Sequence, residues 1–185
     1  MRLATAFCAV LLTGVAIAAP VADEERVPLD LRRTTLVVAD MENSLMFYRD
    51  ALGMEVTYDN MILTPNDAKT AEEAEIARRL VFLRANDDFI GVLGLLEYQK
   101  PRKPVVDLEG AAFHTGTTVL VFNIENLESA FEAASQVKGA TVLSDPREVT
   151  YPSYDGSTTL RVIVSAMQDP DGFTVELNKL LDALR

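Results

Sequence analysis

Between residues 33 and 179 the hydrophobic positions spell out a short pattern, and they spell it twice. Residues 33–39 are β-branched and apolar, which predicts a strand. From Asp40 onward Met41, Leu45, Tyr48 and Leu52 recur at helical spacing. Asp40 suits the N-cap, Glu42 complements the helix dipole, and Gly53 can take the left-handed conformation that ends the helix. A second strand is expected from Met54 to about Tyr58, and two more over 80–84 and 89–98, joined by Ala85-Asn86-Asp87-Asp88. Between them Thr70-Ala71-Glu72-Glu73 has capping-box form. It predicts a short helix to about Arg79, with Glu75 paired to Arg78 or Arg79, inside an insertion over 64–79 that serves as a lid or decorates a sheet edge or a dimer seam.

The pattern then restarts. Residues 117–124 read as a strand, Asn126 as a cap, and Leu127, Phe131, Ala134 and Val137 as one helical face closed by Gly139. Strands follow over 140–143, 160–167 and 173–177. Asp40 aligns with Asn126 and Gly53 with Gly139, each displaced by 86 positions, which is an internal duplication. Pro101, Pro104 and Gly110, with the basic Lys100, Arg102 and Lys103, have linker chemistry and predict a solvated linker face. The fold class is therefore α+β: two tandem βαβββ modules, 31–98 and 115–179, a linker over 99–114, and a helical cap over 180–185. Modules this small enclose little core alone, so two sheets side by side, with helices on their outer faces, would leave a concave cleft.

Ahead of the repeat, Arg2 is followed by an apolar run to Ala19 containing Ala16-Ile17-Ala18, the small-residue pattern of a secretory signal cleaved after Ala18. The run is short for a spanning helix, so the expectation is a signal peptide over 1–18, an extension over 19–30, a periplasmic or secreted product and no stable membrane span. Across 185 residues, 17 basic and 28 acidic side chains leave a net charge of −11, which disfavours nucleic acid as a partner. One Cys and one His exclude an internal disulfide and Cys/His zinc sites. That histidine, His114, reads as a linker residue, with general-base chemistry as the alternative.

The string Leu36-Val37-Val38-Ala39-Asp40-Met41-Glu42-Asn43-Ser44-Leu45-Met46-Phe47-Tyr48, ending at Leu52-Gly53, resembles the vicinal oxygen chelate superfamily of glyoxalase, bleomycin-resistance and extradiol dioxygenase proteins. Asp169-Pro170-Asp171-Gly172-Phe173-Thr174-Val175-Glu176-Leu177 is similar to that superfamily's closing hairpin and last strand. The resemblance implies a divalent metal held by His or Gln early in each half and Glu late in each half. Those positions fall here on Arg33, Val119, Gly94 (or Val92 in the other register) and Glu176. A guanidinium and a valine supply no donor to a cation, so no metal cofactor is expected, and an Arg33–Glu176 ion pair is expected in its place.

Strand alternation turns Leu36, Val38, Leu120, Phe122 and Ile124 toward the helices. It leaves Arg33, Thr35, Val37, Val119, Val121 and Asn123 on the cleft, with Thr174, Glu176 and Asn178, while Tyr151 and Tyr154 occupy a rim loop as candidates to stack on a planar ligand. The first functional expectation is an exported protein that binds a small organic molecule, like the bleomycin-resistance branch. The alternative is a lyase of the lactoylglutathione lyase type, an isomerase or a dioxygenase, with Arg33 as electrophile and Glu176 as base. Relatives often pair, so a homodimer is a further expectation.

Overall fold

Two four-stranded mixed sheets carry the chain in the computed structural model, which describes residues 23–153 and 156–182. The first module runs β1 (Arg33–Val38), α1 (Met41–Leu45), a π-helical continuation (Met46–Ala51), β2 (Glu55–Thr64), β3 (Ile76–Arg84) and β4 (Val92–Lys100). The second runs β5 (Val119–Asn123), α2 (Leu127–Ser135), β6 (Thr141–Pro152), β7 (Thr159–Gln168) and β8 (Thr174–Leu180). Strand orders β1-β4-β3-β2 and β5-β8-β7-β6 are the same topology twice, so the α+β duplication holds. In each module the first strand lies parallel to the last, because the helix carries the chain across before the remaining strands return as antiparallel hairpins.

The helix boundaries follow the sequence chemistry. Asp40 is extended and accepts the Asn43 amide at 3.2 Å, and Gly53 ends the helical segment at φ +81°. Asn126 takes the equivalent place, but its side chain bonds the Ser129 hydroxyl instead of a backbone amide. The amide of Leu52 bonds the carbonyl of Phe47, five residues back, and within this widened stretch consecutive Phe47 and Tyr48 are both fully buried. Their rings meet edge to face at 5.0 Å.

The core lies between the sheets and the helices and is shared by both modules. Leu36, Leu45, Phe47, Leu83 and Leu95 of the first pack in one cluster with Leu127, Ala134, Met167 and Leu177 of the second. The Asp169–Gly172 turn of the second module docks on the start of α1. Asp171 accepts from the Ala39 amide at 2.8 Å and the Ser44 hydroxyl at 3.0 Å, and Asp169 accepts from the Tyr48 phenol at 2.7 Å.

Three expectations need correction. No helix spans 70–79: the Glu73 amide donates to the Thr70 hydroxyl, and the Glu73 carboxylate accepts from the Lys69 amide, one residue ahead of the cap, but these bonds close a single turn. β2 extends to Thr64 and β3 begins at Ile76, because pairing with β2 satisfies the backbone that a helix would have satisfied internally. Arg79 accordingly pairs with Asp59 and Glu42, not with Glu75. Lastly, β8 continues through Leu180, paired with Val162, where a helical cap was expected to begin. The expected signal peptide, Tyr154 and residues 183–185 lie outside the described residues. Among the described residues no helix is long and apolar enough to cross a membrane.

Candidate functional site

Alternation divides each sheet as expected. Leu36 and Val38 are buried on the helix side, whereas Thr35, Val37, Val121 and Asn123 are exposed on the opposite, concave side. Pairing registers also settle which residues are equivalent between modules. Thr35 is opposite Gly94 and Val121 is opposite Glu176, so Gly94, and not Val92, is the counterpart of Glu176. The four positions at which relatives are expected to place metal ligands therefore carry a guanidinium, a hydrogen atom, an isopropyl group and one carboxylate. This donor set does not fit a divalent cation, which gathers several oxygen or nitrogen ligands.

The missing side chain at Gly94 shapes what replaces it. A Cβ there would lie 2.7 Å from the Thr35 hydroxyl oxygen and 3.2 Å from Cδ of Arg33. Arg33 uses that gap. Its Nε–H donates to the Thr35 hydroxyl at 3.0 Å, and its guanidinium carbon sits 4.1 Å from the centre of the Phe82 ring. Tyr58 stacks on Phe82 with ring centres 4.8 Å apart. Since β2 and β4 flank β3 on opposite sides, Phe82 is held by Tyr58 from one side and, across the empty Gly94 position, by Arg33 from the other.

The expected Arg33–Glu176 ion pair is not formed. Arg33 is committed to Thr35 and Phe82 on its own sheet, while Glu176 accepts from the Asn178 side chain at 3.3 Å on the other. Asn178 Oδ1 is buried without a partner, and Asn123 Oδ1 accepts from the Leu180 amide at 3.3 Å. Arg33 and Val121 do come together, lining a pocket of about 150 Å³ where the start of β1 meets β5. Thr35 stands beside Arg33, and Val37 lies further along the same face. Val119 is opposite Thr174, which is buried against the loop that follows Leu108. Tyr151 sits at the far end of the edge strand β6, three strands from β5, or about 14 Å at ordinary strand spacing. The structure does not bring it beside Val121. His114 is exposed in a turn of the linker.

Sequence reasoning missed Tyr58 and Phe82. The signal was present in β3, where buried Val81 and Leu83 put Phe82 on the concave face, but it depended on knowing the register across three strands.

Electrostatics are most perturbed at the module junction. Burial raises the Asp169 carboxyl to about 6, against the restraining bonds from Tyr48, Phe173 and Asp171. Burial likewise raises Asp171, and it raises Tyr48 well above the usual phenol range, with Asp169 adding to the shift.

Paired βαβββ modules around one concave face define a class of cleft-bearing α+β protein. The sequence profile of the Glyoxalase/Bleomycin resistance protein/Dioxygenase superfamily matches residues 30–177, and the chain belongs to that superfamily. Among solved structures it is similar to a glyoxalase family protein from Bacillus cereus, with a TM-score of 0.63 and 13% identity over 87% of this chain and 100% of that one. It is also similar to a glyoxylase/bleomycin resistance protein/dioxygenase domain from a Frankia species, with a TM-score of 0.50 and 15% identity over 80% of this chain and 94% of the other. At these identities the likeness is one of fold. A comparison with curated protein sequences finds no significant match.

Proposed function

We propose that the chain is an exported binding protein that takes a small planar organic anion in the cleft between its concave faces, without a metal ion. The observation that carries this reading is Arg33 lying over Phe82 through the space left by Gly94. Its Nε is engaged by Thr35, which orients the guanidinium and leaves the terminal N–H groups as a fork for a carboxylate or phosphate. Tyr58, Phe82, Val37 and Val121 supply aromatic and aliphatic surface around it, the combination of an apolar wall and a few orienting polar groups that small-molecule sites use. Arg33 turned toward Phe82 and away from Glu176 favours binding over proton transfer between those two residues. The apolar run ahead of Pro20 supports export, with cleavage after Ala18.

The test is direct. After incubation with nickel, zinc, manganese or ferrous iron and desalting, the purified mature protein is expected to retain no stoichiometric metal. EDTA-treated protein is expected to bind aromatic carboxylates in a calorimetric screen, and Arg33→Ala to lose that binding. Stoichiometric metal retention, or aromatic-acid binding that survives Arg33→Ala, overturns the reading. Mass spectrometry of the exported product is expected to place its first residue at Ala19.

A further inference from the structure

The largest cavity described lies away from Arg33, at the other end of β1. About 400 Å³ opens where the end of β1 meets the second module's closing hairpin, roofed by the first half of the linker. That volume lies within the range of small-molecule sites, about 300–1,000 Å³. Arg33, Thr35, Gly94, Val121 and Glu176 contribute nothing to its lining, and of the residues named for the site proposed above it shares Val37 alone, so its polar groups are separate from that site's.

Its walls are aliphatic and its charge is cationic. Val37 and Val38 form the floor, Phe173 closes one side, and Pro104, Val105 and Val106 form the roof. Val105 and Val106 are each 72% exposed and Val37 is 49% exposed, so three valines around one hollow remain open to water. Covering them is the driving force for an apolar occupant.

Three charged side chains reach the cavity. Asp171 is already satisfied by the Ala39 amide and the Ser44 hydroxyl, and so does not call for a cation. Arg102 spends one N–H on the Ala39 carbonyl at 3.3 Å and stands 3.8 Å from the buried Glu97 carboxylate. The Lys103 ammonium sits 4.9 Å from the centre of the Tyr98 ring and has no carboxylate partner among the described residues. In a chain of net charge −11, this ammonium beside an apolar hollow is an uncommitted counter-charge, while the carboxylate of Asp171 in the same lining is held by its own hydrogen bonds.

We propose that this linker-roofed cavity is a second binding site, for a medium-chain aliphatic carboxylate. The hydrocarbon tail lies between the floor valines and Val105–Val106, and the carboxylate meets the Lys103 ammonium at the mouth, with Arg102 beside it. The linker is thus a ligand-holding strap, and its basic residues are the anion-recognition element of the site.

Octanoate is the probe. Calorimetry on the full mature protein is expected to show saturable octanoate binding and none with octylamine, which has the same tail and the opposite charge. In amide NMR spectra, octanoate is expected to shift residues 37–39, 98, 102, 103 and 105–108. The exposed substitution Lys103→Glu is expected to weaken binding by at least about tenfold, as loss of a charge-assisted contact does, while Lys103→Arg retains it. Absence of octanoate binding, equal binding of octylamine, undiminished affinity in Lys103→Glu, or shifts centred on Arg33, Gly94 and Val121 would each overturn the proposal. The cleft reading stands or falls separately, on Arg33→Ala and aromatic acids.

Discussion

The phenol of Tyr48, carried by the helix of the first module, donates a 2.7 Å hydrogen bond to the carboxylate of Asp169 in the closing hairpin of the second. Both residues are fully buried, so the bond joins the two halves of the duplication inside their common core. Removing the donor leaves an acceptor in low dielectric with one fewer partner. Tyr48→Phe is therefore expected to destabilise the fold by about 1–3 kcal/mol in urea unfolding at neutral pH.

The same carboxylate sets a pH dependence. Asp169 titrates at about 6 in the folded protein against an ordinary 3.8, so the folded state binds its proton more tightly than the unfolded state does. The stability contributed by this group is complete below pH 3.8 and is lost as the pH rises through about 6. At 1.36 kcal/mol per unit the loss amounts to about 3 kcal/mol. Asp59, lowered by its bonds to Arg79, acts in the opposite sense, its stabilisation being complete above the ordinary carboxylate value and lost as the pH falls from there through its lowered one. Asp169→Asn keeps an oxygen for the amides of Asp171 and Phe173 and removes the titration. Relative to the parent, it is expected to gain stability between pH 4 and pH 7, and a flat difference across that window would show that Asp169 titrates normally.

Arg33 forms no ion pair among the described residues, and its guanidinium rests on Phe82 at the surface of the cleft. Arg33→Met preserves the hydrocarbon stem and is expected to cost less than about 1 kcal/mol, the scale of an exposed cation–π contact. A loss of about 3–5 kcal/mol in thermal or urea unfolding would instead indicate a buried pair broken on one side.

Gly94 has ordinary backbone angles, so substitution there is a purely steric test. Gly94→Ala places a methyl group against Thr35 and Arg33 and is expected to cost about 1–3 kcal/mol while displacing Arg33 from Phe82. Unfolding measurements report the first effect. The near-ultraviolet circular dichroism of the Tyr58–Phe82 stack reports the second.

Arg79 joins Asp59 of β2 to Glu42 of α1. Arg79→Met is expected to lose about 1 kcal/mol, and the deficit should shrink as salt rises, since both carboxylates are partly or largely exposed.

Much of the fold was legible in the chain because its signals are local. Asp40 and Gly53 mark the ends of the first helical segment by their own backbone and side-chain chemistry, and the 86-residue displacement repeats the module without reference to contacts. The capping box at Thr70 misled for the same reason: the Glu73 amide does bond the Thr70 hydroxyl, but strand pairing of β2 with β3 claims the following residues. Capping is a preference worth about 1 kcal/mol, and a hairpin whose alternate side chains are buried outweighs it.

The sequence by itself determined the family resemblance, the duplication, the face on which each residue of β1, β5 and β8 lies, and the presence of Arg33, Val119 and either Gly94 or Val92 at positions where the resemblance implies ligands. The faces and the duplication follow from spacing and residue chemistry along the chain, and the ligand positions from the resemblance. Only the tertiary structure decided where Arg33 points, that Tyr58 and Phe82 receive it, that Asp169 is buried beneath Tyr48, and that the linker roofs a cavity. The physical reason is that these relationships run across strands and between modules. There a one-residue change of register reverses a side chain's face, and the room available, such as the gap above Gly94, is set by neighbours remote in the chain.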